Sequence, residues 1–160
     1  MTHLEQLIAE FYDWQGYTIK RNIKVGRRPK GGWEMELDVV AYHPTLNKLL
    51  HIEASLDAQS WAMREQRYIK KFTLGEKYIL TEVFTWLPPG TAIERIAIFP
   101  QVAGRDSLAG ARLRSIDDFM LEIKTAVLNG KAMAKNAIPE QYPLLRTIQL
   151  AIVGYYRLAS

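Results

Sequence analysis

Four acids and a serine fall on two neighbouring strand-like segments, and their spacing is what could do chemistry. Met35, Leu37 and Val39 alternate with Glu34, Glu36 and Asp38, and beyond the turn residues around Pro44 and Asn47, Leu50, Ile52 and Ala54 alternate with His51, Glu53 and Ser55. Two short strands around a four-residue connection predict a β-hairpin. With the connection centred on Thr45 and Leu46, Asp38 lies opposite Glu53 and Glu36 opposite Ser55. Directly paired residues have Cβ atoms about 4.5–5.5 Å apart, where like charges destabilise a sheet, so a positive group belongs between them. A hard divalent cation, Mg²⁺ or Mn²⁺, is one candidate: it takes oxygen ligands, needs only one or two carboxylates, and can activate water against a phosphodiester. The plainer reading is a solvated acidic face balanced by Arg or Lys neighbours, and a one-residue shift of register would undo the pairing.

The elements around the hairpin follow from the apolar periods. Leu4, Leu7, Ile8 and Phe11 recur at helical spacing, with Thr2 as a cap and Gly16 as a stop. From Tyr17 the period becomes two, with Tyr17, Ile19, Ile23 and Val25 opposite Lys20, Asn22 and Lys24, and Gly26 to Gly32 forms a basic loop. Asp57 or Ser55 is placed to cap a helix running to about Phe72, with Trp61, Tyr68, Ile69 and Phe72 inward. Lys77 to Phe84 and Arg95 to Val102 read as strands around the breaker Leu87-Pro88-Pro89-Gly90. Ser115-Ile116-Asp117-Asp118 starts a helix that Gly130 stops, and a last helix follows Pro139 or Pro143. The order is helix, three strands, helix, two strands, two helices, which predicts an α/β protein with a mixed sheet flanked by helices.

Glu36-Leu37-Asp38-Val39-Val40-Ala41, a short turn, then Leu50-His51-Ile52-Glu53-Ala54-Ser55 resembles the core motif of the PD-(D/E)XK nuclease superfamily. That resemblance implies a restriction-endonuclease-like αβββαβ core at about 2–102 within one domain of 1–160, with a C-terminal helical extension at about 115–160. It also implies a metal-dependent nuclease that cuts DNA, with Mg²⁺ or Mn²⁺ as cofactor and Asp38 and Glu53 as its ligands. Glu5 in the leading helix matches a glutamate of archaeal Holliday-junction resolvases and Mrr-like nucleases, which makes it a possible third metal ligand. Arg64-Glu65-Gln66 is comparable to a stretch those resolvases place after the motif, which brings Gln66 into the candidate site. The family's lysine falls at Ser55, and a serine hydroxyl supplies no positive charge. Three readings follow: the cation comes from elsewhere, the metal and Ser55 suffice, or catalysis has been lost and a binding module remains. Lysines migrate within this superfamily, and Lys20, Lys70 and Lys71 are the replacements considered, with Lys20 favoured for its place on the polar side of the adjoining strand.

Several of these residues have simpler readings. Thr2-His3-Leu4-Glu5 is also a capping box. Gln66 suits a helix surface, and His51, two residues before Glu53 on the same face, suits a structural role. Arg27, Arg28 and Lys30 in the glycine-rich loop, together with Lys70 and Lys71, are candidates for phosphate contact with DNA. Trp33, Trp61 and Trp86 read as anchors for the core or loops.

Composition sets the outer bounds. Across 160 residues, 48% hydrophobic and 24% charged content describes a globular chain, and 21 Lys and Arg against 17 Asp and Glu give a net charge of +4. Without cysteine there are no disulfides, thiolate nucleophiles or zinc-thiolate sites. No P-loop, dinucleotide fingerprint or Gly-x-Ser-x-Gly elbow occurs. No apolar leader follows Met1 and no stretch is long enough to span a membrane, so a cytoplasmic location is expected. Leu144, Leu145, Ile148, Ile152 and Tyr155 form an apolar helical face, a candidate homodimer contact.

Overall fold

The structure, a computed structural model, describes residues 2–129 and 136–153. The chain divides into two compact units, residues 1–115 and 116–160. The first contains α1 (His3–Trp14), β1 (Thr18–Arg27), β2 (Trp33–His43), β3 (Lys48–Ala54), α2 (Trp61–Tyr78), β4 (Ile93–Phe99), β5 (Ser107–Leu108) and β6 (Ala111–Ser115). Its sheet has six strands in the order β1-β2-β3-β4-β6-β5. β1, β2 and β3 are antiparallel neighbours, β4 runs parallel to β3 and β6 parallel to β4, so the protein is α/β with a mixed sheet.

Local chemistry accounts for most boundaries. Leu4, Leu7, Ile8 and Phe11 bury one face of α1, and Thr2 and Glu5 close a reciprocal capping box at its start. β2 and β3 meet through Pro44 to Asn47, where Asn47 takes a left-handed conformation at φ 50°. α2 is capped by Ser60 rather than by Asp57 or Ser55, the Ser60 hydroxyl accepting from Met63 N–H at 3.3 Å.

Two sequence expectations are corrected. Lys77 to Phe84 is not a strand: α2 runs on to Tyr78 and ends in a π-helical turn over Ile79–Val83. The inward stripe Arg64, Tyr68, Phe72 and Gly75 continues into Ile79 at helical spacing, and packing of that stripe overrides the β-branched and aromatic preference of the segment. The hairpin of β5 and β6 is not predicted by the sequence pattern. Ala109 and Gly110, at φ 50° and 75°, form its two-residue turn, and a two-residue strand is too short to display a period.

Val40, Tyr42 and Leu49 pack with Ile79, Phe84 and Leu87 in one hydrophobic cluster, and Tyr68 and Phe72 pack with Ala97, Phe99 and Leu113 in another. These two clusters seat α2 against the sheet.

The second unit holds α3 (Ile116–Leu128) and a helix here numbered α4 (Pro143–Ile152). Phe119, Ile123 and Val127 are buried at one-turn spacing along α3. The buried Gln149 accepts from Ile138 N–H at 2.8 Å and donates to Asn136 O at 2.9 Å. Of the apolar face expected on the last helix, Leu145 is buried and Leu144, Ile148 and Ile152 are half-buried; Tyr155, like Gly130, lies outside the described residues. Among the described residues no helix is long and apolar enough to cross a membrane.

Candidate active site

The pairing Val39 with Ile52 and Val40 with His51 is the register that sets Asp38 beside Glu53. Asp38 N–H donates to Glu53 Oε1 at 3.2 Å, and Ala54 N–H donates to Asp38 Oδ2 at 3.1 Å, so each acid is also tied to the partner strand's end of the pair. The positive group between them comes from α2. Lys71 Nζ lies 3.2 Å from Asp38 Oδ1 and makes a shorter contact with Glu53 Oε2. Of the three lysines weighed, then, Lys71 stands at the pair and the favoured Lys20 does not: Lys20 is exposed on β1 opposite Val40. The reason is helical spacing, because Lys71 sits three residues after Tyr68 and four before Gly75 on the stripe that faces the sheet. For the same reason Lys71 is not a surface phosphate contact, whereas its neighbour Lys70 is exposed.

His51, which the sequence suits to a structural role, completes the cluster. It is fully buried, with Nε2 2.7 Å from Glu53 Oε1 and its ring edge-on to Phe72 at a centroid distance of 4.9 Å. Gly75 makes that position possible, since a Cβ there would collide with the imidazole. The signal was available: a glycine inside a helical pattern marks a close approach by something else. His51 Nδ1 and the Tyr68 hydroxyl are buried with no hydrogen-bond partner among the described residues.

Burial and the charge of Glu53 push Asp38 up to about 7, and Lys71 opposes this only in part. Burial alone would also raise Glu53, but the hydrogen bond and charge of His51, with Lys71, outweigh it and hold Glu53 down at about 2. Burial works against the charge on Lys71, which the two carboxylates more than restore, so its value lies above the ordinary one. At neutral pH the arrangement is a charged Glu53–Lys71 pair beside an acid poised between its two forms.

The remaining candidates have other partners. Glu5 is engaged by its capping box and by Asn22 Nδ2 at 3.2 Å. Ser55 donates to Asp57 Oδ2 at 2.5 Å and accepts from Asp57 N–H at 3.1 Å, serving the loop after β3. Arg28, Gln66 and Lys70 are brought together with Glu34 along a groove of about 490 Å³ between the β1–β2 connection and α2. Arg27 and Lys30 are exposed beside it.

Among the described residues no three His, Asp or Glu side chains gather as a metal cage. The acid pair by itself is a set of hard oxygen donors, and Asp38, raised first by burial and then by the adjacent negative charge, is the kind of carboxylate a further cation would return to its ionised form. Asp38 and Glu53 are by type the hard oxygen donors that Mg²⁺ or Mn²⁺ would take. Compared with known proteins, the chain matches no family model and no curated protein.

Proposed function

We propose that the protein is a metal-dependent nuclease that hydrolyses phosphodiester bonds in DNA, built on a restriction-endonuclease-like core. The observation that carries this reading is Lys71, delivered by α2 to within 3.2 Å of Asp38 and against Glu53, which makes good the cation missing at Ser55. Asp38 and Glu53 are the residues that would hold Mg²⁺ or Mn²⁺. When bound, such an ion supplies charge stabilisation to the phosphodiester and lowers the pKa of a bound water. Lys71 adds a fixed positive charge where charge builds on the phosphate, and its two carboxylate partners keep it protonated and aimed. Glu53 is in turn held by His51, so its carboxylate does not rotate away. A water is the nucleophile.

The test incubates the full chain with plasmid, linear and branched DNA in Mg²⁺ or Mn²⁺, beside Asp38→Ala and Lys71→Met. Cleavage by the wild type that drops at least about 100-fold in each variant supports the site. Equal cleavage by wild type and Asp38→Ala removes it.

One observation favours a second reading, a catalytically degenerate module that binds nucleic acid on the same scaffold. Every carboxylate oxygen of the pair already has a protein partner: Lys71 and Ala54 for Asp38, and Lys71, His51 and Asp38 N–H for Glu53. Salt-dependent DNA binding with no cleavage under either metal is its signature.

A further inference from the structure

From residue 14 to residue 33 the sequence carries six cations, Lys20, Arg21, Lys24, Arg27, Arg28 and Lys30, and no carboxylate. Three of the six lie within four residues at the connection between β1 and β2, and Trp33 follows as the first residue of β2, paired directly with Arg27. Residues 27 to 33 are all exposed. The connection is nevertheless ordered, because Arg28 N–H donates to Gly32 O and Gly31 N–H donates to Arg28 O, each at 3.0 Å. Its base is clamped: Gly26 N–H donates to Glu82 Oε2 at 3.0 Å, and Gly26 packs so closely on Glu34 and Tyr78 that a side chain would not fit. Its tip is open, with no atom within 4 Å of where a Cβ of Gly31 or Gly32 would stand.

Trp33 differs from Trp61 and Trp86 in what lies against it. Trp61 is covered by the guanidinium groups of Arg64 and Arg105, 4.7 and 4.9 Å from its centre, and Trp86 lies edge-on to Tyr42 and Phe84. Trp33 is 42% exposed, and among the described residues no ring or cation lies against it. A large rigid aromatic face held in solvent, flanked by Arg27, Arg28 and Lys30 and leading into the Arg28–Gln66–Lys70 groove, matches one ligand chemistry closely: a polyanionic chain that carries flat apolar rings. The acid in that groove, Glu34, is tied to the Tyr78 hydroxyl at 2.9 Å.

We propose that this hairpin tip binds a single-stranded stretch of nucleic acid, with Trp33 stacking on an unpaired base while Arg27, Arg28, Lys30 and Lys70 hold the flanking phosphates. The proposal rests on the reading of the protein as a nuclease and deepens it, because it names the substrate form as DNA with an unpaired segment. Asp38 stands five residues along β2 from Trp33, a span of about 16 Å, so a strand held at the tip lies within a few nucleotides of the acid pair.

The test measures binding of a labelled oligothymidine and of a duplex of equal length to the full chain, by fluorescence anisotropy in EDTA so that cleavage is silent. Wild type is expected to favour the single strand. Trp33→Ala should lose about 10-fold or more on the single strand and little on the duplex, and Trp33→Phe should recover most of the loss. Arg28→Ala should weaken both and make the salt dependence shallower by about one ion. Circular dichroism confirms that each variant is folded, which an exposed position favours. Trp33→Ala binding the single strand as wild type does, or losing strand and duplex equally, overturns the proposal. So does a wild type that ignores both oligonucleotides and binds polyglutamate, which would make the tip a contact for acidic proteins. Cleavage in Mg²⁺ separates the two readings. Wild type and Trp33→Ala that cut and bind alike retain the nuclease and remove the hairpin, whereas Trp33-dependent binding without cleavage retains the hairpin and removes the nuclease.

Discussion

Two clusters of carboxylate and cation meet α2, built from the same residue types with opposite results. In one, Glu53 is fully buried and Lys71 is 10% exposed; in the other, Asp57 is 23% exposed and receives Arg64 Nε at 3.3 Å and Arg67 Nη1 at 3.0 Å, with Arg67 43% exposed. Two acids share one cation in the first, while one acid has two cations in the second. Burial and the crowded negative charge raise Asp38, whereas burial of Asp57 is outweighed by its hydrogen bonds from Ser55 and Gln59 and by Arg64, leaving it lowered. The difference separates a group held in place from a group held under tension. Asp57 pins the loop to α2, and Asp38 remains short of positive charge.

Removing Lys71 breaks the contrast most sharply. Lys71→Met leaves Asp38 and Glu53 facing each other without compensation and should cost about 3–5 kcal/mol at pH 8, read from urea unfolding. The penalty should shrink at pH 5, where Asp38 is protonated and no longer opposes Glu53. A penalty independent of pH would mean that Lys71 matters for packing alone.

The next effect tests what holds Glu53. Gly75→Ala drives a methyl into the His51 ring and should cost about 1–3 kcal/mol. In a His51→Ala background the same change should cost far less, because the collision is gone. Additive costs in that double-mutant cycle would show that Gly75 serves some other neighbour.

How much of this was legible beforehand depends on how far each feature reaches along the chain. The hairpin register was legible, since alternation and a short turn decide it within about twenty residues, and the meeting of Asp38 and Glu53 follows from that alone. Which lysine joins them was not, because it depends on how α2 lies across the sheet. Tyr68, Lys71, Phe72 and Gly75 share one helical face, whereas the preference for Lys20 rested only on its place on the polar side of the adjoining strand. The strand expected at Lys77 to Phe84 failed for a related reason: Tyr78, Ile79, Val83 and Phe84 favour β structure locally, and only the packing of Ile79 and Phe84 with Val40 and Tyr42 reveals the helical turn. The exposure of Trp33 was likewise invisible, since a tryptophan in a strand pattern reads as core.

A smaller effect isolates the tension on Asp38. Its folded-state value of about 7 lies well above that of an ordinary aspartate, so the native state binds this proton more tightly than the unfolded chain does. Stability from this group is therefore full at low pH and is lost as pH rises through about 7. Asp38→Asn has no such proton, and its stability relative to wild type should improve by on the order of 2 kcal/mol between pH 5 and pH 8. Added Mg²⁺ should narrow the gap at pH 8 by stabilising the wild type alone. A relative stability flat across that range would contradict the raised value of Asp38.

The smallest effect comes from the wetter cluster and acts as its control. Asp57 is lowered, so its contribution is present above the ordinary carboxylate range and is lost only as pH falls through its depressed folded value. Between pH 5 and pH 8 Asp57 stays ionised. Asp57→Asn should thus cost no more than about 1 kcal/mol, the same at both ends of that range, and the cost should diminish in high salt, since Arg67 is solvated. The pH slope of Asp38→Asn has no counterpart here if burial, rather than the mere presence of a cation, sets the behaviour of each acid. A matching slope in Asp57→Asn would mean that the pH response belongs to α2 and the loop before it as a whole, and the distinction between the two clusters would fall.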